Sequence, residues 1–226
     1  MDFDIVQVWH PLVLSLKILC VVLFLYVILG IPLAYLLSFE KLKFKWFFES
    51  LVTLPLVFPP IAIGFLLLLL LGKHGWLGSY LYPLGIHFIF DFKGLVLAGF
   101  ISGLPLMVKP LQSAIELFPK AIKEAAYLSG KSGLTTLLCV VLPCIKKSVI
   151  AALLIALARA LGEVGITLML GGNIVGKTDT ISLAIYNAVF DGDYTLALGL
   201  CAILIVISLG VFIALHFFQE GKEKFL

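Results

Sequence analysis

The chain alternates between long apolar stretches and short polar connections. A helix crosses a hydrocarbon layer about 30 Å thick with roughly 20 residues, and the apolar stretches approach that length. The pattern therefore predicts five transmembrane helices within one membrane domain covering residues 1–226. Their approximate bounds are 12–37, 50–71, 94–107, 148–170 and 196–217.

A further apolar run at 76–90 raises the alternative of a sixth span. At about 15 residues it is short for a span, and Gly78, Pro83, Gly85 and His87 interrupt it. A segment that re-enters the membrane or lies at its surface is the better interpretation. The number of spans is then odd, and the two ends of the chain lie on opposite sides.

Composition supports a membrane location. Of the 226 residues, 62% are hydrophobic and 13% charged, and the mean hydropathy is +1.17. So few polar side chains cannot cover a soluble globule of this size. We therefore expect an all-α membrane protein. No basic residue precedes Lys17, so the first apolar stretch is expected to be a retained helix and not a cleaved signal peptide.

Positive charges mark one side of the predicted topology. Eleven of the sixteen Lys and Arg residues fall in alternate connections, whereas the opposite connections hold only Lys73, Lys93 and Lys177. Connections rich in these residues face the cytoplasm. The N-terminus is therefore expected outside and the C-terminus in the cytoplasm. The cytoplasmic set comprises Lys41, Lys43, Lys45, Lys109, Lys120, Lys123, Lys131, Lys146, Lys147, Lys222 and Lys224.

The long connection at 117–143 is predicted to lie in the cytoplasm and to form two short helices. Pro119 suits the first position of a helix, and Gly130 suits the left-handed residue that follows its end. Ser132 is a good cap for a second helix, which Pro143 would bend or end.

The first loop helix places Ile122, Ala125, Ala126 and Ser129 on one face. Such a face either receives another protein or packs beneath the spans of the same chain, and the pattern leaves both open. Gly130-Lys131-Ser132 matches the end of a phosphate-binding loop, but the full motif needs glycine where Ala125 stands. Nucleotide binding by this chain is therefore not expected.

One group of loop residues resembles the EAA motif of permease subunits of bacterial ABC importers. The only departure is Val140, where isoleucine is usual. The resemblance implies an ABC importer type I permease fold, in which this loop is a coupling helix that docks on a separate ATPase subunit. The residues that match are Glu124, Ala125, Ala126, Gly130, Leu142 and Pro143.

Within that family the chain is similar to the molybdate branch of the molybdate/tungstate/sulfate permeases. This resemblance rests on the stretches at 14–38, 51–78 and 156–189 and on the short five-span form. It implies a homodimer, two copies of an ABC ATPase subunit, an external oxyanion-binding protein and the bacterial cytoplasmic (inner) membrane. Tungstate or sulfate is the alternative cargo. ATP and Mg would be bound by the ATPase, with no cofactor, metal, nucleic acid or catalytic residue on this chain.

Arg159 and Glu163 are the candidate residues of a translocation path. Arg159 lies 12 residues, or about 18 Å of helix, beyond Lys147, which places it near the middle of the bilayer. A guanidinium at that depth should face the bundle interior. Glu163 lies one helical turn away, so the two form either an internal structural pair or part of the path.

The second predicted span contains Pro55, Pro59 and Pro60, which predict a kinked helix that either acts as a gate or is bent only for packing. With so few cations in the spans, we expect a low-affinity passage, with selectivity residing in the external binding protein. That protein is expected to dock on outer loops that include 171–180. A membrane enzyme is not expected, because 99–103 departs from the G-x-S-G protease motif and no H-E-x-x-H occurs. A self-contained channel remains a weaker alternative.

Overall fold

A computed structural model describes residues 5–40 and 42–220, and side chains within 8–40 and 42–213. In this part of the chain every regular element is helical. The α-helices are α1 Ile5–Leu25, α2 Ile31–Leu37, α3 Lys45–Val57, α4 Pro60–Leu71, α5 Gly78–Leu81, α6 Phe92–Glu116, α7 Lys120–Leu128, α8 Gly133–Thr136, α9 Leu142–Cys144, α10 Lys146–Leu161, α11 Gly165–Gly171, α12 Ile181–Phe190 and α13 Tyr194–Glu220.

The first span is one continuous helix with a wider turn in its middle. A π-helical turn, Tyr26–Gly30, joins α1 to α2. Pro32 explains this turn, because its ring would clash with the carbonyl four residues earlier and it has no N–H to donate. Within the turn, the fully buried Tyr26 hydroxyl donates to the Gly99 carbonyl at 3.0 Å. This bond fixes the first span against α6.

The central element is α6, which packs against α1, α2, α3, α10 and α11. Small residues allow the close approach: a Cβ on Gly103 would lie 2.2 Å from the Tyr26 hydroxyl and 2.4 Å from the Ala156 carbonyl oxygen. The predicted end at residue 107 is wrong, since the helix continues to Glu116 through Pro105 and Pro110. Prolines are tolerated in a membrane helix when neighbouring groups compensate for the lost hydrogen bonds.

The second apolar stretch forms two helices, α3 and α4, with a bend of 119° between them. The predicted kink is confirmed, although the single helix over 50–71 is not. Phe58 precedes a proline and is held in an extended conformation (φ −84°, ψ 142°), which ends α3. Beyond the break, α4 packs closely on α11.

The fourth predicted span, 148–170, is also interrupted. Its helix α10 ends at Leu161, residues 162–164 are not helical, and α11 begins at Gly165. The interpretation that Arg159 and Glu163 share a helix is therefore wrong, because Glu163 lies in the break. At its other end, α10 meets the 133–144 helix at an angle of 84°.

Within the part of the chain that the structure describes, three helices are long and apolar enough to cross a membrane, and two bent pairs raise the number to as many as five. The three are Val8–Leu37, Phe92–Glu116 and Tyr194–Ile213. The run at 76–90 forms only α5 and a 3₁₀ turn, Tyr82–Leu84, so it makes no sixth long helix. Five spans and their orientation stay predictions. Lys41, Lys222 and Lys224, used for the orientation, lie outside the described residues.

Candidate functional site

The loop helix α7 forms within one residue of its predicted ends and stops at Gly130. The amide of Gly130 donates to the Tyr127 carbonyl at 2.9 Å, and that of Lys131 to the Ala126 carbonyl at 3.1 Å. These two bonds make a Schellman motif, which needs a left-handed residue. Gly130 supplies it with φ +78°. The glycine of the EAA motif therefore ends the helix and turns the chain away.

The two sides of α7 have different surroundings. Ala126 is buried, and the neighbouring Lys123 ammonium donates to the Ile115 carbonyl at 2.7 Å. Burial, and then the charge of Lys120, lower the pKa of Lys123, against an opposing effect of Glu116. One side of the helix is thus fastened to the end of α6.

The other side of α7 is open. Glu124 and Ala125 are exposed, and Leu128 is 90% exposed. Glu124 forms no ion pair with any described residue. Of the predicted small-residue face, only Ala126 packs against the protein itself, whereas Ile122, Ala125 and Ser129 face outward. Packing beneath the spans of the same chain therefore explains only part of the motif.

Beyond α7, the chain forms a short capped helix and then bends sharply into α10. The Ser132 hydroxyl accepts from the Thr135 amide at 3.2 Å, which confirms the predicted cap of a second helix. A π-helical turn, Leu137–Val141, precedes Leu142 and Pro143, and the helix then bends into α10. Leu142 packs on the main core. These two motif residues therefore shape the junction between loop and span.

A cluster of polar side chains joins α3 to the end of α6 beside this loop. The Gln112 amide, 5% exposed, donates to Glu49 at 2.6 Å and to Glu116 at 3.0 Å. Lys45 pairs with Glu116 at 2.9 Å, and Lys109 with Glu49 at 3.4 Å. The sequence analysis missed this cluster. Its signal is the polar stripe at 109, 112 and 116, which lies beyond the predicted end of the third span.

Arg159 and Glu163 form the internal pair that their spacing suggested. The Arg159 guanidinium lies 2.8 Å from Glu163 Oε2, with the side chain of Arg159 30% exposed and that of Glu163 1% exposed. The other carboxylate oxygen of Glu163 accepts from the Ile166 amide at 2.8 Å. Glu163 thus caps the start of α11 and neutralises Arg159. A role of the pair in translocation stays a prediction.

The two helix breaks lie side by side. Pro55 is buried within α3, Pro59 caps α4, and Pro60 is its first residue. A Cβ on Gly165 would lie 2.9 Å from Pro60 Cβ, so the break after Pro59 adjoins the break that contains Glu163. The structure therefore brings four of the candidate path residues into one region: Pro59, Pro60, Glu163 and its partner Arg159. Their action as a gate stays a prediction.

Loop 171–180, on the predicted outer side, has a fixed base and an exposed tip. The Thr178 hydroxyl donates to the Gly171 carbonyl at 2.7 Å, and Asp179 pairs with His10 at 3.0 Å. The tip exposes Val175, which is 80% accessible. A nearby cavity of about 580 Å³ is lined by Lys73, His87 and Lys177 among others.

Broken helices whose ends meet inside the bundle are typical of transport proteins. The apolar helices and the exposed loop helix complete the description of a multi-pass membrane permease. The chain belongs to the family of binding-protein-dependent transport system inner membrane components, and the match covers residues 26–222. The resemblance to permeases of molybdate importers is confirmed by the relatives that follow.

The chain is 34% identical over 201 residues to the molybdenum transport system permease protein ModB of Haemophilus influenzae, covering 86% of this chain and 88% of ModB. It is 35% identical over 182 residues to the probable transport system permease protein NifC of Clostridium pasteurianum. That match covers 80% of this chain and 63% of NifC, under two thirds of the relative.

Among solved structures, the chain resembles one from the bacterial alginate ABC transporter in complex with an alginate pentasaccharide-bound periplasmic protein. The TM-score is 0.74 with 19% identity, covering 99% of this chain and 84% of the other. At this identity the likeness shows a shared fold.

Proposed function

We propose that this chain is the membrane subunit of an ATP-driven importer that moves molybdate into the cytoplasm by alternating access. Two copies would form the pathway, two ATPase subunits would bind their loops, and an external binding protein would deliver the anion. The bacterial inner membrane is the expected location. ModB, at 34% identity over most of both chains, supports molybdate as the cargo. Tungstate and sulfate remain the alternatives.

The exposed side of α7 carries this proposal. This side of the helix presents Glu124, the small Ala125 and a 90% exposed Leu128, and none of them packs on the rest of the chain, so it is available to a partner. Its opposite side is held to α6 by Lys123. Force applied to the exposed side by an ATPase would therefore reach the end of α6.

From there the polar cluster provides a route to the broken second stretch. Lys45 and Glu49 belong to α3, whereas Lys109, Gln112 and Glu116 belong to α6. A movement of α7 that displaces Glu116 would also act on α3, which leads to the break at Pro59. This connection favours a mechanism in which ATP-driven closure of the partner subunits changes the angle between α3 and α4.

We assign docking of the external binding protein, which would deliver the anion, to the tip of loop 171–180 and the neighbouring cavity. Within the described residues, Lys73 and Lys177 form no ion pair, and these two lysines outnumber Asp91 in the cavity lining, which leaves a small positive charge for an acidic surface. In the pathway itself, Glu163 already neutralises Arg159. A path with so little net positive charge suits weak, transient contact with a dianion, and affinity would reside in the binding protein.

The test is ATP hydrolysis in proteoliposomes that contain this subunit, its partner ATPase and the binding protein. Molybdate, tungstate and sulfate are compared, each with and without Glu124→Lys. The substitution reverses an exposed charge on α7, so the fold is retained while docking is impaired. A matched control is Lys131→Gln, which also changes an exposed charge of the loop but lies after α7 and takes part in the Schellman motif only through its backbone amide.

Stimulation by molybdate that Glu124→Lys abolishes and Lys131→Gln retains would support both cargo and coupling. Stimulation by sulfate alone would contradict the choice of molybdate. Anion flux through the subunit without ATPase or ATP would contradict the importer and support a self-contained channel.

A further inference from the structure

An apolar groove lies between α1 and the start of α6. It has a volume of about 470 Å³, which is within the range of ligand-binding pockets, and it opens on the exposed side of α1. Of the described residues that line it, only Lys17 is charged, and the proposed transport function does not use the groove. The lining comprises Val13, Leu16, Lys17, Cys20, Val21 and Phe92.

Lys17 lies at the level of the outer membrane surface in the predicted topology. The first span ends at Leu37, 20 residues further on, and a helix rises about 1.5 Å per residue, so the two positions are about 30 Å apart. This distance matches the hydrocarbon core, which is also about 30 Å thick. Phe92, across the groove, is the first residue of α6. Both sides of the groove therefore meet the lipid headgroups at this level.

Lys17 has no counter-charge in the part of the chain that the structure describes. Its side chain is exposed, and no ion pair among the described residues includes it. At the edge of a membrane, a lysine stem lies along apolar surface while its ammonium reaches the headgroups. A charged group at such a position is costly unless an anion accompanies it. The phosphate of a phospholipid is the anion that this environment supplies.

We propose that the groove binds one anionic phospholipid of the outer leaflet. Its phosphate would contact Lys17, and one acyl chain would lie along Cys20, Val21 and Phe92. A free oxyanion does not fit, because one cation among apolar side chains cannot replace its hydration. A zwitterionic phospholipid fits less well, because its own ammonium group competes with Lys17 for the phosphate. The bound lipid would join α1 to α6 on the outer side of the membrane.

A second copy of the chain is the other occupant that an exposed apolar groove suggests. Most homodimers are two-fold symmetric, so the same patch would come from both copies. This patch holds one cation and, among the described lining residues, no acid. A dimer through the groove would therefore place two lysines in an apolar interface without counter-charge, which is unfavourable. A lipid supplies both the apolar chain and the negative charge.

The first experiment measures lipid binding by native mass spectrometry of the purified full-length chain in detergent. Dioleoylphosphatidylglycerol, which is anionic, and dioleoylphosphatidylcholine, which is zwitterionic, are titrated separately after delipidation. Lys17→Gln removes the charge, Lys17→Arg keeps it, and Cys20→Phe narrows the apolar groove. Both positions are exposed, so the fold is retained. Lys93→Gln is the matched control, since Lys93 is exposed beside Phe92 but does not line the groove.

We expect the unchanged chain and Lys17→Arg to bind one phosphatidylglycerol saturably, and several times more tightly than phosphatidylcholine. Lys17→Gln should weaken phosphatidylglycerol binding about fivefold, because a basic residue near a membrane surface contributes about 1 kcal/mol. Cys20→Phe should weaken binding of both lipids severalfold, and Lys93→Gln should stay within twofold. Absence of saturable binding, equal affinity for the two lipids, or an equal loss in Lys17→Gln and Lys93→Gln would overturn the site.

The second experiment distinguishes a lipid from a second copy of the chain. Cys20 carries a benzophenone in a chain whose other cysteines are alanine, and this chain, alone and with its partner ATPase, is illuminated in vesicles of the two lipids in equal amounts. Adducts enriched severalfold in phosphatidylglycerol, with the enrichment lost in Lys17→Gln, would support the site. Adducts between two copies, or lipid adducts without enrichment, would overturn it. Neither experiment measures import, so a failure of the proposed function would leave both results standing.

Discussion

At the scale of single residues, Gly130 is required for its backbone conformation and not for its small size. A Cβ there would meet nothing within 4 Å, so space does not require glycine. The requirement is φ +78°, a conformation that costs other L-residues about 1–2 kcal/mol. The motif glycine is thus explained by the chain reversal after α7 and needs no contact with a partner.

Gly130→Ala should therefore lower the free energy of unfolding by about 1 kcal/mol through backbone strain. Gly130→Asn should cost less, because asparagine tolerates the left-handed region. Thermal unfolding in detergent measures both. Gly210→Ala is the control, since Gly210 lies inside α13 with open space around it and should be neutral or slightly stabilising. Equal loss in the Gly130 and Gly210 variants would contradict the argument.

The Arg159–Glu163 pair requires a different design, because one partner cannot be removed alone without a structural effect. Arg159→Gln leaves a carboxylate that is 1% exposed without its counter-charge, which should cost roughly 3 kcal/mol. Adding Glu163→Gln should recover most of that loss, since the amide oxygen still accepts from Ile166. Unfolding measured on both single variants and the double variant gives the coupling energy. Additive losses would show that the pair is not coupled.

Uptake by the double variant then shows whether the pair takes part in translocation or has only a structural role. If the pair lines the path, uptake should fall at least tenfold although stability returns. Normal uptake by a stable double variant would leave the pair with only its structural role of capping α11.

At the scale of elements, the contact between α4 and α11 depends on glycine. A Cβ on Gly64 would lie 2.8 Å from Met169 Cβ and 3.0 Å from Ile166 Cα. The two breaks at Pro59 and Glu163 can lie together only because these helices approach so closely. The region around the two breaks is therefore built from a pair of short, tightly packed helices and not from one kinked span.

Gly64→Ala should separate α4 from α11 and destabilise the protein by about 1–3 kcal/mol. Gly162→Ala is the matched control, because its added Cβ would only reach ordinary contact, 3.8 Å from the Ala158 carbonyl oxygen. Unfolding and uptake are measured together. If the two variants behave alike, close packing of α4 on α11 is not important.

The sequence predicted helices, caps and the loop well because these depend on local chemistry. Gly130, Ser132 and Pro143 act through their own backbone preferences or neighbouring amides, so their positions could be read directly. The break at Glu163 could not be predicted, because Arg159 and Glu163 have the spacing of one helical turn and suggest a continuous helix. In the structure the Glu163 carboxylate instead accepts from the Ile166 amide and caps the next helix. The polar cluster of Gln112 escaped for another reason: it assembles groups separated by more than 60 residues.

At the scale of the whole molecule, several of the described lysines fall into two groups, and the charge pattern of the sequence assigns these groups to opposite sides of the membrane. Lys45, Lys109 and Lys120 contact glutamates near α7, whereas Lys73 and Lys177 share a cavity. These two groups would occupy opposite membrane surfaces. That orientation stays a prediction.

Cysteine labelling tests that orientation. In a chain with Cys20, Cys139, Cys144 and Cys201 replaced by alanine, an impermeant maleimide added to whole cells should label Ser79→Cys but not Ser129→Cys. Both sites are exposed, so access alone decides the result. After permeabilisation both should react. Labelling of Ser129→Cys in intact cells would reverse the topology.

The position of α6 at the centre has a consequence for how the protein is made. Its face with Gly99, Ser102 and Gly103 is covered largely by α10, whose first residue lies 30 positions after the last of α6. During synthesis this helix therefore enters the bilayer before its main neighbour exists. Until α10 arrives, the first span and α3 already cover part of α6, since Tyr26 donates to the Gly99 carbonyl and Lys45 pairs with Glu116. The side of Gly103 that faces Ala156 of α10 stays uncovered. Completion of the bundle must wait for the second half of the chain, and a ribosome stalled within loop 117–143 would leave α6 without its main neighbour and open to the cell's proteases.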